Sequence, residues 1–239
     1  MFLDKQLIQY HQFFIHSCNP VKIIKMNIDK ILLILIIVNV IASIKGFSDR
    51  LFFDKYKFQI GAINRGEKIR MLTSGFLHVD YLHLILNMYV LYIFAPIIIL
   101  KLGVIKFLIL YFGSLIAGSL LTLTYHKNEL YYSAVGASGA VAGIIYGSIL
   151  LNPTMSLMIF PLPIPIPGYI FGIGYILYSV YGMKKKLGNI GHTAHLGGAI
   201  GGFALTLLVY PEVFSNSTFT VVVLGIPIVL LLLFGNRLK

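Results

Sequence analysis

The sequence contains runs without any charged residue that are too long for a soluble domain. The longest, Leu130–Met183, has 54 residues without Asp, Glu, Lys or Arg. Because a helix needs roughly 20 apolar residues to cross a bilayer, this run holds two crossings, divided by the proline-rich segment Pro161–Pro167. Charged residues make up only 11% of the chain, whereas a soluble domain carries about 25%. The chain is therefore predicted to be an integral membrane protein.

Five further apolar runs each fit one membrane crossing, the shortest of them if it extends to about Phe47 with the Lys45 side chain reaching the interface. They are Ile31–Ile44, Tyr81–Leu100, Phe107–His126, Leu187–Pro211 and Val213–Asn236. With the two crossings in the long run, seven are predicted, and the fold class is an all-α, polytopic membrane helical bundle. The predicted divisions are an N-terminal cytosolic or interfacial segment, a six-helix core, and an additional C-terminal helix with a short tail, at residues 1–30, 31–210 and 211–239.

Composition also limits the partners. The net charge of +11 accompanies long apolar runs, so it indicates contact with anionic lipid head groups or control of membrane orientation rather than nucleic-acid binding. Cys18 is the single cysteine, which excludes an internal disulfide and a multi-cysteine metal site. The predicted environment is the lipid bilayer of the cell membrane, with no nucleic acid as a partner.

Four polar residues fall inside predicted crossings, where an unpartnered polar side chain is costly and therefore a functional candidate. His83 and Asn87 are four residues apart, so they project from one face of their helix. Ser138 begins a helix after a glycine-rich turn, and the first N–H groups of a helix have no hydrogen-bond partner within it. His195 lies near the start of a later helix. All four lie in the second, fourth and sixth of the seven predicted crossings, counted along the chain. Alternate crossings run in the same direction through the bilayer, so we expect these residues to meet near one membrane face.

Glycines predict which helices meet. Gly139, Gly143 and Gly147 recur every four residues behind Ser138, and Gly198 and Gly202 follow His195 in the same spacing. Small residues at this spacing allow close packing of membrane helices. Only 15 residues separate Ser138 from the end of its helix near Asn152, about 22 Å, against a hydrocarbon thickness of about 30 Å. We therefore expect Ser138 to lie below the membrane surface, beside a hydrated cavity lined by residues 131–137.

A serine and a histidine brought together in this way support acyl transfer. Ser138 would attack a carbonyl carbon, and His195 would accept and return the proton. His192 is the alternative base, but the glycine spacing favours His195. His83, the Asn87 amide and the Ser138 N–H would hold the oxyanion. We assign Gly136 and Ala137 to the same oxyanion and substrate-binding set.

These motifs resemble those of the rhomboid intramembrane serine proteases, in the same order and over roughly Glu67 to Tyr210. They are Arg70–His78, His83-xxx-Asn87, Gly136-x-Ser138-Gly139 and Ala194-His195-xx-Gly198-xxx-Gly202. The resemblance implies a Ser138–His195 dyad, an oxyanion site from His83, Asn87 and backbone, and a six-helix core with one extra C-terminal helix. It also implies substrates that are single-span membrane proteins, cut near helix-destabilising small residues, and no metal or cofactor.

Two rival functions stay open at this point. A catalytically inactive rhomboid-like protein that binds membrane clients would share the fold, although retention of Ser138 and His195 argues against it. A transporter could relay protons through its histidines, but no Asp or Glu falls within the core spans. Orientation is also open, because the resemblance implies an inner N-terminus, whereas only six of the 19 Lys and Arg residues would then lie inside.

Overall fold

The computed structural model describes residues 28–159, 162–185, 187–188 and 190–234. The predicted N-terminal segment, residues 1–30, lies almost wholly outside the described residues, as does the predicted tail beyond residue 234. The described chain is mostly helical, as the apolar runs predict. Its helices are α1 Lys30–Ser48, α2 Arg50–Tyr56, α3 Ile60–Asn64, α4 Arg70–Thr73, α5 Tyr81–Tyr125, α6 Ser138–Leu151, α7 Gly168–Lys185, α8 His192–Val209, α9 Val213–Asn216 and α10 Thr218–Phe234.

The first two helices are separated by a capping aspartate. Asp29 begins α1, since its side chain accepts hydrogen bonds from the N–H groups of Ile31 and Leu32. Asp49 has an extended backbone and accepts from Phe52 N–H, so it ends α1 and begins α2. The apolar helix α1 therefore ends at Asp49, and the chain continues in the short helix α2, which exposes Leu51.

The predicted crossings at residues 81–100 and 107–126 form one element, α5, of 45 residues. Its straight length would be roughly 68 Å, about twice the hydrocarbon thickness. Gly103 breaks it with φ of 82° and ψ of 166°, a conformation open to glycine because it has no Cβ. Ile98 and Leu110, one from each arm, both lie against Gly147. The chain thus folds back at Gly103 into two helical arms.

Helix α6 is the centre of the bundle. Every residue from Gly139 to Leu151 is buried. Both arms of α5 and helix α8 surround it, and α7 and α10 cover its remaining side. A helix that is apolar all round has no polar face to expose, which is why it occupies this central position.

Two short β ladders join the connecting segments, so the prediction of an all-α fold is corrected to a mainly helical one. Strand β1, Phe58–Gln59, pairs antiparallel with β2, Ser133–Ala134. Strand β3, Ser156–Ile159, pairs with β4, Leu162–Pro167. The prolines of β4 occupy alternate positions and donate no backbone hydrogen bond, which suits a strand paired along one edge only.

The segment between α1 and α5 is folded, and Arg70 is its anchor. The buried Arg70 guanidinium donates through Nη1 to the carbonyls of Asp54 and Lys57, at 2.7 and 3.0 Å. Its Nε donates to Glu67 at 2.7 Å. Buried charges are tolerated when they are paired and hydrogen-bonded in this manner.

Three described helices, α1, α5 and α8, are long and apolar enough to cross a membrane, and α5 has two arms. Helices α6 and α10 are apolar but shorter. Seven crossings therefore stay a prediction. The last apolar run is divided at Ser217, whose hydroxyl donates to Leu150 O at 2.7 Å, so the C-terminal helix begins at Thr218 rather than Val213.

Candidate active site

Gly136 lies between two of the candidate residues. Its φ of 131° is outside the range that side chains readily adopt. A Cβ placed there would be 2.7 Å from His83 Cε1 and 3.5 Å from Ser138 Oγ. Gly136 N–H donates to Ser74 O at 3.0 Å, which holds the turn against the segment before α5. The structure therefore brings His83 and Ser138 together around one glycine.

His83 and Asn87 lie on the first turns of α5. His83 N–H donates to Asp80 Oδ1 at 2.7 Å, so Asp80 caps the helix that carries both residues. Asn87 is buried, and its Nδ2 donates to His83 O at 2.9 Å. The buried His83 Nδ1 makes no hydrogen bond with any described residue. A buried polar atom without a partner is uncommon in a folded protein, which distinguishes His83 from an ordinary helix residue.

Helix α8 packs on α6 through direct backbone contact, which confirms the glycine-based prediction. A Cβ at Gly198 would lie 2.6 Å from the carbonyl carbon of Gly139, and one at Gly202 would lie 2.6 Å from that of Gly143. A Cβ at Gly139 would lie 3.1 Å from Ala194 O. The residue after Ser138 thus contacts the residue before His195.

The second arm of α5 packs against an adjacent face of α8. A Cβ at Gly118 would lie 2.5 Å from Ala194 O, and one at Gly197 would lie 2.8 Å from Ala117 O. Backbone atoms cannot move aside as a flexible side chain can, so these contacts fix the position of the α8 backbone at His195.

Ser138 Oγ and His195 are close in the fold but are not hydrogen-bonded. Neither side chain makes a hydrogen bond to another described residue, and both are half-buried. Hydrogen bonds of catalytic pairs are often long without substrate and tighten when it binds. His192, the alternative base, is buried at the start of α8, and its Nε2 lies 3.2 Å from Leu187 O.

His78 belongs to the site region, although no catalytic role was predicted for it from the sequence. Ala137 N–H donates to His78 Nε2 at 3.4 Å, so Nδ1 carries the proton and donates to Ser43 Oγ at 2.8 Å. Ser43 in turn donates to Phe76 O. The His78 ring also lies edge-on to His83, with 4.9 Å between centroids. No spacing in the sequence indicated this chain of contacts.

Two N–H groups of the glycine-rich turn before Ser138 already donate hydrogen bonds. Gly136 donates to Ser74 and Ala137 donates to His78. The N–H groups at the start of a helix have no partner within it, and no side chain caps α6. Within the described part of the chain, no three His, Cys, Asp or Glu side chains form a metal-binding group.

His78 gives a testable dependence of stability on pH. Burial lowers its pKa from 6.5 to about 3, His83 adds to this shift, and Asp80 opposes it. Between these pH values the unfolded chain binds a proton that the folded chain does not, so stability falls as the pH falls from 6.5, by up to about 1.4 kcal/mol per pH unit. Thermal unfolding of His78→Gln in detergent is therefore expected to depend less steeply on pH between 7 and 5 than that of the wild type. Equal slopes would contradict this.

The fold and the site define a helical membrane protein in which Ser138, His195, His83 and Asn87 lie in the first two turns of α6, α8 and α5. The chain belongs to the rhomboid family, because the family model described as the Rhomboid domain matches residues 65–212. Rhomboid protein 1, mitochondrial, of Saccharomyces cerevisiae is 32% identical over 138 residues, covering 56% of this chain and 40% of the yeast protein.

Two bacterial relatives are also similar to this chain. YdcA of Bacillus subtilis, provisionally named a rhomboid protease, is 33% identical over 159 residues, covering 63% of this chain and 71% of YdcA. Rhomboid protease GluP of the same organism is 30% identical over 141 residues, covering 59% of this chain and 26% of GluP. This chain thus spans less than half of the yeast protein and of GluP.

Proposed function

We propose that this protein is an intramembrane serine endopeptidase that cleaves membrane-spanning helices of single-span proteins. One observation carries the proposal: the backbone contact between Gly139 and Ala194 joins the neighbours of Ser138 and His195. A serine nucleophile and its base require such proximity. Membership of the rhomboid family, some of whose members are named proteases, supports the same conclusion.

In the proposed reaction, Ser138 Oγ attacks the scissile carbonyl carbon while His195 accepts the hydroxyl proton. His195 then gives that proton to the leaving amine, and an acyl group stays on Ser138. Water then attacks the acyl carbon while His195 accepts its proton. His195 returns that proton to Ser138 Oγ as the acyl bond breaks, which releases the carboxylic acid product and restores the serine. The proposed water supply is a hydrated cavity beside residues 131–137, since irregular backbone within a membrane must be buried or line such a cavity.

The proposed oxyanion site consists of His83, the Asn87 amide and Ser138 N–H. Each of these donors would be worth a factor on the order of 10² to 10³ in rate. Because the N–H groups of Gly136 and Ala137 have other partners, these two residues would act by shape, leaving room for the substrate backbone. The proposed location is the cell membrane; the yeast relative carries a mitochondrial name, so a mitochondrial membrane is the alternative.

The rival function is that of a catalytically inactive rhomboid-like protein that binds membrane clients. The missing hydrogen bond between the described Ser138 and His195 side chains is the observation that favours it.

Labelling by a serine-directed fluorophosphonate separates the two functions. We expect the wild-type protein in detergent to be labelled at Ser138, because an activated serine attacks phosphorus as it attacks a carbonyl. Heat-denatured protein is the control and should not react. If the native protein stays unlabelled where an active rhomboid protease is labelled, the inactive function is correct.

A further inference from the structure

The side chain of His195 is contacted from a helix that does not clamp its backbone. The α6 and α5 glycines fix the α8 backbone on two sides, as described above. The His195 ring instead faces Tyr175 of α7, with 6.0 Å between ring centroids and 22° between ring planes. Contacts from α5 and α6 therefore fix the backbone at His195, whereas a contact from α7 bears on the orientation of its ring.

The contact is one of two successive ring contacts between α7 and α8. Tyr175 faces His195, and Tyr178, three residues later, meets His192, three residues earlier, edge-on at 5.2 Å. Residues three apart lie on one face of a helix, so antiparallel helices align both pairs. Gly182 permits the approach, because any Cβ there would collide with the His192 ring.

Tyr175 is itself held firmly. Its ring lies 6.0 Å from Phe171, nearly parallel to it, and 6.3 Å from Tyr146 of α6. Tyr146 donates its hydroxyl proton to Gly172 O, which attaches α7 to the central helix at the turn before Tyr175. A ring fixed by two neighbouring rings can restrict the rotamer of a third.

We propose that Tyr175 is a positioning residue, which holds the His195 imidazole in the orientation needed to accept the Ser138 proton. This inference rests on the proposed protease function. The face of the tyrosine ring performs the role, since its hydroxyl makes no hydrogen bond to the described part of the chain. Phenylalanine should therefore replace tyrosine, whereas an aliphatic side chain of similar size should not.

The test compares cleavage kinetics of Tyr175→Leu, Tyr175→Met and Tyr175→Phe on a model transmembrane substrate, with Tyr178→Leu as the matched control. We expect the Leu and Met variants to lose on the order of 10²-fold in kcat, since misplacement of a reacting group by about 1 Å costs that much. Their KM should change little, because Tyr175 does not bind substrate. Tyr175→Phe and Tyr178→Leu should retain turnover close to that of the wild type.

Each outcome decides one question. An inactive, unlabelled wild type would contradict the proposed protease function itself. An active wild type with an equally active Tyr175→Leu or Tyr175→Met would overturn the role of Tyr175, as would a Tyr175→Phe variant that loses kcat as strongly as they do. Because methionine fills irregular space, Tyr175→Met supplies the aliphatic comparison if Tyr175→Leu fails to fold.

Discussion

Replacing Ser138 with alanine is expected to abolish cleavage of a model transmembrane substrate, by at least about 10³-fold in kcat. The substitution removes the only atom that forms the acyl bond in the proposed reaction. It deletes one oxygen at a half-buried position, so the thermal unfolding temperature should stay close to that of the wild type. Gel analysis of substrate fragments measures the cleavage.

The controls use one neighbouring serine and the proposed base. Ser133→Ala changes an exposed serine five residues earlier and should leave cleavage intact. His195→Ala should lose nearly as much activity as Ser138→Ala, and the double variant should lose no more, because a nucleophile and its base act as one unit. Cleavage that persists in folded Ser138→Ala would exclude Ser138 as the nucleophile.

Gly198→Ala is expected to destabilise the protein by about 3 kcal/mol, at the upper end of the usual cost of overpacking. The new Cβ would lie 2.6 Å from the carbonyl carbon of Gly139, so α6 and α8 would have to separate. Backbone atoms cannot move aside as the end of a flexible side chain can. The two helices would therefore separate beside Ser138 and His195. We therefore expect the residual folded protein to cleave poorly as well.

Gly174→Ala is the matched control for this substitution. Gly174 is also inside a described helix, α7, but a Cβ there would meet nothing within 4 Å. Alanine should stabilise that helix by up to about 1 kcal/mol, since it has the higher helix propensity. Thermal unfolding in the same detergent measures both variants. Equal stabilities for Gly198→Ala and Gly174→Ala would show that the α6–α8 contact is looser than the structure has it.

Patterns along single helices predicted much of this fold. The start of α6 at Ser138 and the packing of α6 on α8 follow from glycine spacing, because close contact in a membrane depends on small residues at regular intervals. The break between the crossings at residues 81–100 and 107–126 was predicted from the charged residues between them, but its exact position at Gly103 was not, since an isolated glycine does not reveal its backbone conformation.

The candidate site was predictable only where its residues lie in regular motifs. His78 reaches Ala137 across 59 positions, and Tyr175 meets His195 from a run rich in tyrosine and phenylalanine. Such contacts depend on how loops and helix faces are oriented in three dimensions, which local periodicity does not encode. The assignments of Ser138, His195, His83 and Asn87 to catalytic roles stay predictions.

The hydrogen bond between Ser43 and His78 links the candidate site to a helix outside the residues that match the family. Ser43 belongs to α1, ahead of residues 65–212 that match the family. A fragment trimmed to those residues would leave the proton on His78 Nδ1 without its acceptor, in a side chain only 1% exposed. Losing a buried partner typically costs about 1–3 kcal/mol. The shortest fragment expected to retain the backbone conformation of the turn before Ser138 therefore includes α1.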